Sequence, residues 1–126
     1  MPADQSYQLH IQLTRPVTIT VGRLGKFQFP AGQYIYTGSA KRNLEARIKR
    51  HLSKHKKLRW HIDYLLTHRD VRVSQVQRSA AAECAWNQKT CGKIIVPGFG
   101  ASDCRHGCGS HLKLVSPSLP AFRGLH

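Results

Sequence analysis

Two tyrosines, Tyr34 and Tyr36, alternate along a run that ends in Gly38-Ser39-Ala40, and a basic segment carrying Arg47 and His51 follows at once. At about 100° per residue, Arg47 and His51 fall a turn apart on the same side of a helix. These residue types suit a phosphate. Glycine lets the backbone approach closely, a helix start favours an anion, and a guanidinium fork grips two oxygens. Gly38, Ser39, Lys41, Arg42, Arg50, Lys54 and Arg59 are the candidate phosphate or nucleic-acid contacts around that turn. Glu83 is a lone acid in Ala80-Ala81-Ala82-Glu83-Cys84-Ala85-Trp86, an apolar setting in which a carboxylate needs a purpose. A second chemistry is available to Cys84, Cys91, Cys104, Cys108 and His111. Their spacings would serve a structural zinc ion, a set of buried thiols packing a loop onto a helix, or a redox-dependent disulfide. His111 and Asp103 are alternatively candidates to line the cleft.

The elements that must position these groups follow from periodicity. Tyr7, Leu9, Ile11 and Leu13 alternate, which predicts a half-buried strand over 7–13. The β-branched run 17–21 and the run 26–29, joined across Gly22 to Gly25, predict a hairpin. A short strand is expected over 34–37. Leu44, Ile48 and Leu52 recur every four residues and predict a basic helix, with Ser39 as its N-cap. Residues 60–67 suit a short helix and 71–76 a weaker strand. Residues 79–90 suit a helix capped by Ser79, in which Cys84 and Cys91, seven apart, share a face. The segment 93–96 is short and apolar, 97–109 is a glycine-rich loop, and 112–115 forms a last strand. The whole reads as a single α+β domain spanning 1–126, with a core over about 5–115 and a poorly ordered tail over 116–126.

Composition narrows the partners. The chain has 126 residues, 20 Lys and Arg against six Asp and Glu, and a formal net charge of +14. Nine of those cations fall within 41–59, against one acid, Glu45. Such a surface implies a strongly anionic partner, nucleic acid first and an anionic membrane second. No apolar run is long enough to span a bilayer, and the Leu44/Ile48/Leu52 stripe is too narrow to serve both a core and a membrane surface. The first residues lack a basic region followed by an apolar core, so a soluble, cytoplasmic protein is expected.

Tyr7, Tyr36-Thr37-Gly38, Arg47, His51 and Glu83 resemble, in order, the motif set of the GIY-YIG nuclease superfamily. The wider blocks Gly32-Gln33-Tyr34-Ile35-Tyr36-Thr37-Gly38-Ser39-Ala40, Arg47 with Arg50-His51, Trp60-His61-Ile62-Asp63-Tyr64-Leu65, Gly98-Phe99-Gly100-Ala101-Ser102-Asp103-Cys104 and Ser110-His111-Leu112 look like its Uri-type branch. That branch is sometimes fused to endonuclease III-type glycosylases. The resemblance implies a small, mainly antiparallel sheet flanked by helices, and Mg²⁺- or Mn²⁺-dependent hydrolysis of phosphodiesters. It implies that Tyr7 or Tyr36 helps activate water, Arg47 stabilises the phosphorane-like charge, and His51 assists at the phosphate or in proton transfer. Glu83 would hold the metal, and His61 would join the proton network. The cations around the tyrosines are expected to lower their pKa.

The match departs from the superfamily pattern in three places. The first half-motif reads Gln5-Ser6-Tyr7, without its Gly-Ile portion. Tyr7 and Tyr36 are 29 residues apart, a gap that an inserted hairpin over 17–29 would fill. No Asn follows Glu83 in a later element, and Ser102 or Asp103 would have to substitute. The expectation is a metal-dependent endonuclease acting on DNA in repair or processing, with a non-catalytic nucleic-acid-binding module of the same fold as the alternative. With no separate DNA-reading module, such a domain would recognise backbone, shape or damage, or rely on a repair or targeting partner.

Overall fold

The computed structural model describes residues 4–40, 42–100 and 107–117. Its elements are β1 (Ser6–Leu13), β2 (Val17–Val21), β3 (Gly25–Phe29), β4 (Gly32–Ser39), α1 (Leu44–Leu52), α2 (His61–Leu66), β5 (Val71–Ser79), α3 (Glu83–Lys89) and β6 (Leu112–Ser116). A single 3₁₀ turn, Gly22–Leu24, joins β2 to β3. The expected tail beyond residue 117 lies outside the described residues.

Four strands form one antiparallel sheet in the order β5-β1-β4-β6. β2 and β3 pair separately as a hairpin. This hairpin is inserted between β1 and β4, which pair directly with each other. The molecule is therefore a small α+β fold, a mainly antiparallel sheet flanked by helices.

The register explains why distant tyrosines meet. Tyr7 pairs with Gly38 and Leu9 with Tyr36. Side chains of paired residues share a face, so Tyr7, Leu9, Ile11, Leu13, Tyr34 and Tyr36 all project to one side. That side packs against α1, α2 and the hairpin, burying Phe29, Ile48, Ile62, Leu65 and Phe99. The opposite face is polar but covered by α3. Gln8 donates to Thr37 Oγ1 at 3.2 Å and to Thr90 Oγ1 at 2.8 Å, and Lys113 Nζ donates to the Asn87 carbonyl at 2.5 Å. Buried polar groups persist there because they are paired.

Several boundaries differ from the periodicity. Ser39 is not the N-cap of α1. That position is Asn43, in the left-handed region at φ 54°, which Asn tolerates better than most residues. Leu52 is 51% exposed, whereas His51 is 2% exposed. The buried stripe of α1 therefore includes an imidazole in place of the expected leucine. β4 and β5 run longer than expected, and Ser79 is the last residue of β5, paired with Ser6. Helix α3 therefore begins only at Glu83 and ends before Cys91. The segment 93–96 contributes one isolated bridge, Lys93 to Leu114. Among the described residues no helix is long and apolar enough to cross a membrane.

Candidate functional site

Tyr7 Oη lies 2.6 Å from His51 Nε2, joining β1 to α1. Gly38 makes this possible. A Cβ there would stand 2.5 Å from Tyr7 Oη, so only glycine leaves the hydroxyl its place. Tyr36 packs edge-on to the same imidazole, with ring centroids 6.2 Å apart, and against Phe99. Gly100 serves Tyr36 in the same way, since a Cβ there would be 2.9 Å from the ring.

Beside this buried group, Ser39 joins two layers. Its carbonyl accepts from Arg47 Nη1 at 2.7 Å, and its hydroxyl donates to Glu83 Oε1. Arg47 comes from the α1 side of the sheet and Glu83 from the α3 side. The other carboxylate oxygen, Oε2, is 2.5 Å from His111 Nδ1. Glu45, Asp63 and Asp70 are paired with Lys or Arg, whereas Glu83 is held by a serine and a histidine. Glu83 is a single carboxylate that could hold a hard cation, and the group able to hold a metal ion among the described residues, Cys84, Cys108 and His111, does not include it. Each carboxylate oxygen keeps a second lone-pair direction, the side chain is 24% exposed, and Mg²⁺ needs few protein ligands because it retains water.

The electrostatics correct one expectation. Burial raises the pKa of both Tyr7 and Tyr36, and the opposing effect of Arg47 does not overcome it. Both tyrosines are therefore neutral phenols. Burial, aided by Lys56, pushes His51 down to about 4, so its imidazole is neutral near pH 7. Burial alone would raise Glu83, but the hydrogen bonds from His111 and Ser39 outweigh it and hold the carboxyl below its ordinary value.

The basic residues divide into two groups. Arg50 forms a two-pronged pair with Asp63 at 2.9 and 3.0 Å and also donates to the Lys57 carbonyl. Lys54 Nζ donates to the carbonyls of Leu66, His68 and Val71 at 2.7, 2.9 and 2.6 Å. Both were expected to contact phosphate, and both are instead committed to the fold. Arg42 and Arg59 are exposed. Lys41 lies outside the described residues. His61 Nδ1 accepts the Gly100 N–H at 2.9 Å, which fixes the loop behind Tyr36 and engages one of its two nitrogens.

The family model of the domain of unknown function DUF123 matches residues 6–121. The chain belongs to the DUF123 family. No curated protein and no solved structure matches it. The DUF123 match encloses every group above, from Tyr7 to His111.

The cysteines of this DUF123 domain do not act as one set. Cys84 and Cys108 come together with His111, their ligand atoms all within 4.8 Å of one another, in an arrangement able to hold a metal ion. Cys91 does not join them. It falls past the end of α3 and is exposed, because the helix stops short of the register that would align it with Cys84. Cys104, with Ser102 and Asp103, lies outside the described residues.

Trp60 stands in one of the sequence blocks but is assigned no role there. Its ring carries the guanidinium groups of Arg47, Arg50 and Arg59 at 4.8, 4.5 and 5.7 Å, and it also packs on His51 at 5.7 Å. A tryptophan flanked by arginines at 47, 50 and 59 was the available signal.

Proposed function

We propose that this DUF123 domain is a divalent-metal-dependent endonuclease of GIY-YIG type that hydrolyses nucleic-acid phosphodiesters, with DNA as its substrate. The observation that carries the reading is the double role of Ser39. It holds a guanidinium and a carboxylate together, next to the Gly38 over which Tyr7 and His51 meet. A phosphate-cutting site needs cationic charge for the phosphate, an anionic group for a metal, and a proton path for the water.

Arg47 binds and orients the phosphate. Ser39 uses one donor of its guanidinium fork, and the face of Trp60 fixes its plane. Tyr7 acts as a neutral relay, passing its hydroxyl proton to His51 Nε2 as it takes one from the attacking water. His51 is a weak base at rest, and an anionic phosphate nearby raises its pKa and strengthens it. Tyr36 and Phe99 exclude bulk water from this pair. Glu83 would hold the cation, which when bound supplies Lewis-acid stabilisation of a phosphate oxygen.

A second reading, a non-catalytic nucleic-acid-binding module, draws support from one observation: Tyr7 and His51 are each only 2% exposed. Plasmid nicking with Mg²⁺, Mn²⁺ and EDTA separates the two. The nuclease reading requires metal-dependent cutting that Arg47→Ala and Glu83→Gln abolish. Salt-sensitive binding without cutting, across supercoiled, nicked, branched and single-stranded DNA, would establish the binding module.

A further inference from the structure

We propose that Cys84, Cys108 and His111 form a zinc site whose imidazole is positioned by Glu83. The ligand atoms lie within 4.8 Å of one another, and Cys84 Sγ is 4.0 Å from His111 Nε2. Tetrahedral zinc, with bonds of about 2.3 Å to sulfur and about 2.0 Å to nitrogen, holds its ligand atoms roughly 3.5–3.8 Å apart. Side-chain rotation over about an ångström closes the set on such an ion. Two thiolates and an imidazole select a soft or borderline cation and reject Mg²⁺ and Ca²⁺.

The histidine is oriented for this role. Its Nδ1 faces Glu83 Oε2 at 2.5 Å and the Thr37 carbonyl at 3.2 Å. Both oxygens only accept, so Nδ1 carries the proton and the lone pair of the neutral ring sits on Nε2. Nε2 is the nitrogen that faces Cys84. A carboxylate behind a metal-binding imidazole fixes the tautomer and makes the ligand more basic.

The backbone also holds the ligands in place. Cys108 and His111 are separated by Gly109 and Ser110, and Gly109 takes φ 77°, the left-handed turn of a tight ligand-bearing loop. His111 N–H donates to the Phe99 carbonyl at 2.9 Å, and Gly109 accepts from Gly98 N–H at 2.6 Å. Asn87 Nδ2 donates to the Ser110 carbonyl at 2.9 Å, tying the loop to the helix that carries Cys84. The site stands without the nuclease reading. Only the sharing of Glu83 between zinc and phosphate chemistry rests on it.

The test is a cobalt titration of the reduced, chelator-treated chain, followed by displacement with zinc and without nucleic acid. Thiolate-to-cobalt absorption that zinc abolishes is the expected result. Cys84→Ser and Cys108→Ser should each diminish that absorption, and Cys91→Ser should leave it intact. Glu83→Gln should keep the absorption while weakening zinc binding about 10–100-fold. That combination separates a positioning residue from a merely structural one, whose loss would remove absorption and fold together, as circular dichroism would show. Absence of the absorption in the wild type, its survival unchanged in both Cys84→Ser and Cys108→Ser, or its loss in Cys91→Ser would overturn the site. Unchanged zinc affinity in Glu83→Gln would overturn the role of Glu83. A chain that binds zinc in this way and cuts no DNA would uphold the site and remove the nuclease reading alone.

Discussion

The hydroxyl of Tyr7 and Nε2 of His51 are 2.6 Å apart, and each residue is only 2% exposed. This contact joins the first strand to the basic helix across 44 residues of sequence. It also gives the imidazole its only hydrogen bond among the described residues, because His51 Nδ1 is buried without a partner.

Tyr7→Phe should therefore affect two measurements differently. Nicking activity should fall about 10²–10⁴-fold, the range for losing a positioned acid or base. Stability in chemical denaturation should fall by about 1–3 kcal/mol, the cost of leaving a buried polar group unsatisfied. An activity loss no larger than the loss of folded protein would remove Tyr7 from the mechanism.

His51 should make the fold sensitive to mild acid. Its folded pKa, about 4, lies below the unfolded value near 6.5. Between those values the unfolded chain binds more protons, so stability should decline as pH falls from about 6.5 towards 4. The full loss from this group is about 3 kcal/mol. Denaturation midpoints for the wild type and His51→Gln, measured across that window, check the sign. The variant should lack this component of the decline.

The alternations of β1, β2 and β3 were legible because each strand has one face on the core, and the bounds of α1 agree with its pattern. What escaped the sequence has a common cause, which is that tertiary pairing reassigns polar residues. Ser39 reads as a helix cap, yet it is drawn into the sheet opposite Ser6 and bonds Glu83. Ser79 reads the same way and pairs with the other edge of β1. His51 occupies a core position because Tyr7 supplies a partner, so hydrophobic periodicity pointed to Leu52 instead. Charge is the hardest to read. Nine cations in one segment look like one surface, but the helix ends and the buried Asp63 claim Arg50, Lys54 and Lys56. The tyrosines show the same limit, since burial outweighs the cations that the sequence places beside them.

Asp63 should be among the most sensitive positions. It is fully buried, accepts from Arg50 and from the backbone N–H groups of Arg59 and Trp60, and has Lys56 Nζ at 3.8 Å. Arg50→Ala removes the guanidinium but leaves Lys56 and the two backbone N–H groups, so it should destabilise the fold by about 1.5–3 kcal/mol. The exposed Glu45–Arg78 pair is the control, and Arg78→Ala should produce no measurable change in the same denaturation assay.

The division of the basic residues predicts a difference in salt dependence. Each phosphate contact contributes a slope of about 0.9 to the fall of log affinity with log salt on duplex DNA. Arg42 and Arg59 are exposed and commit no side-chain donor to a carbonyl among the described contacts, so Arg42→Ala and Arg59→Ala should each reduce the slope by about that amount. Lys54 directs its ammonium group at three carbonyls near the end of α2 and the start of β5. Lys54→Ala should leave the slope unchanged and lower thermal stability, because the loss is internal. Binding measured from low to moderate salt, with melting temperature recorded for each variant, tests the division. A slope reduced equally by Lys54→Ala and Arg42→Ala, at unchanged melting temperature, would return Lys54 to the phosphate surface.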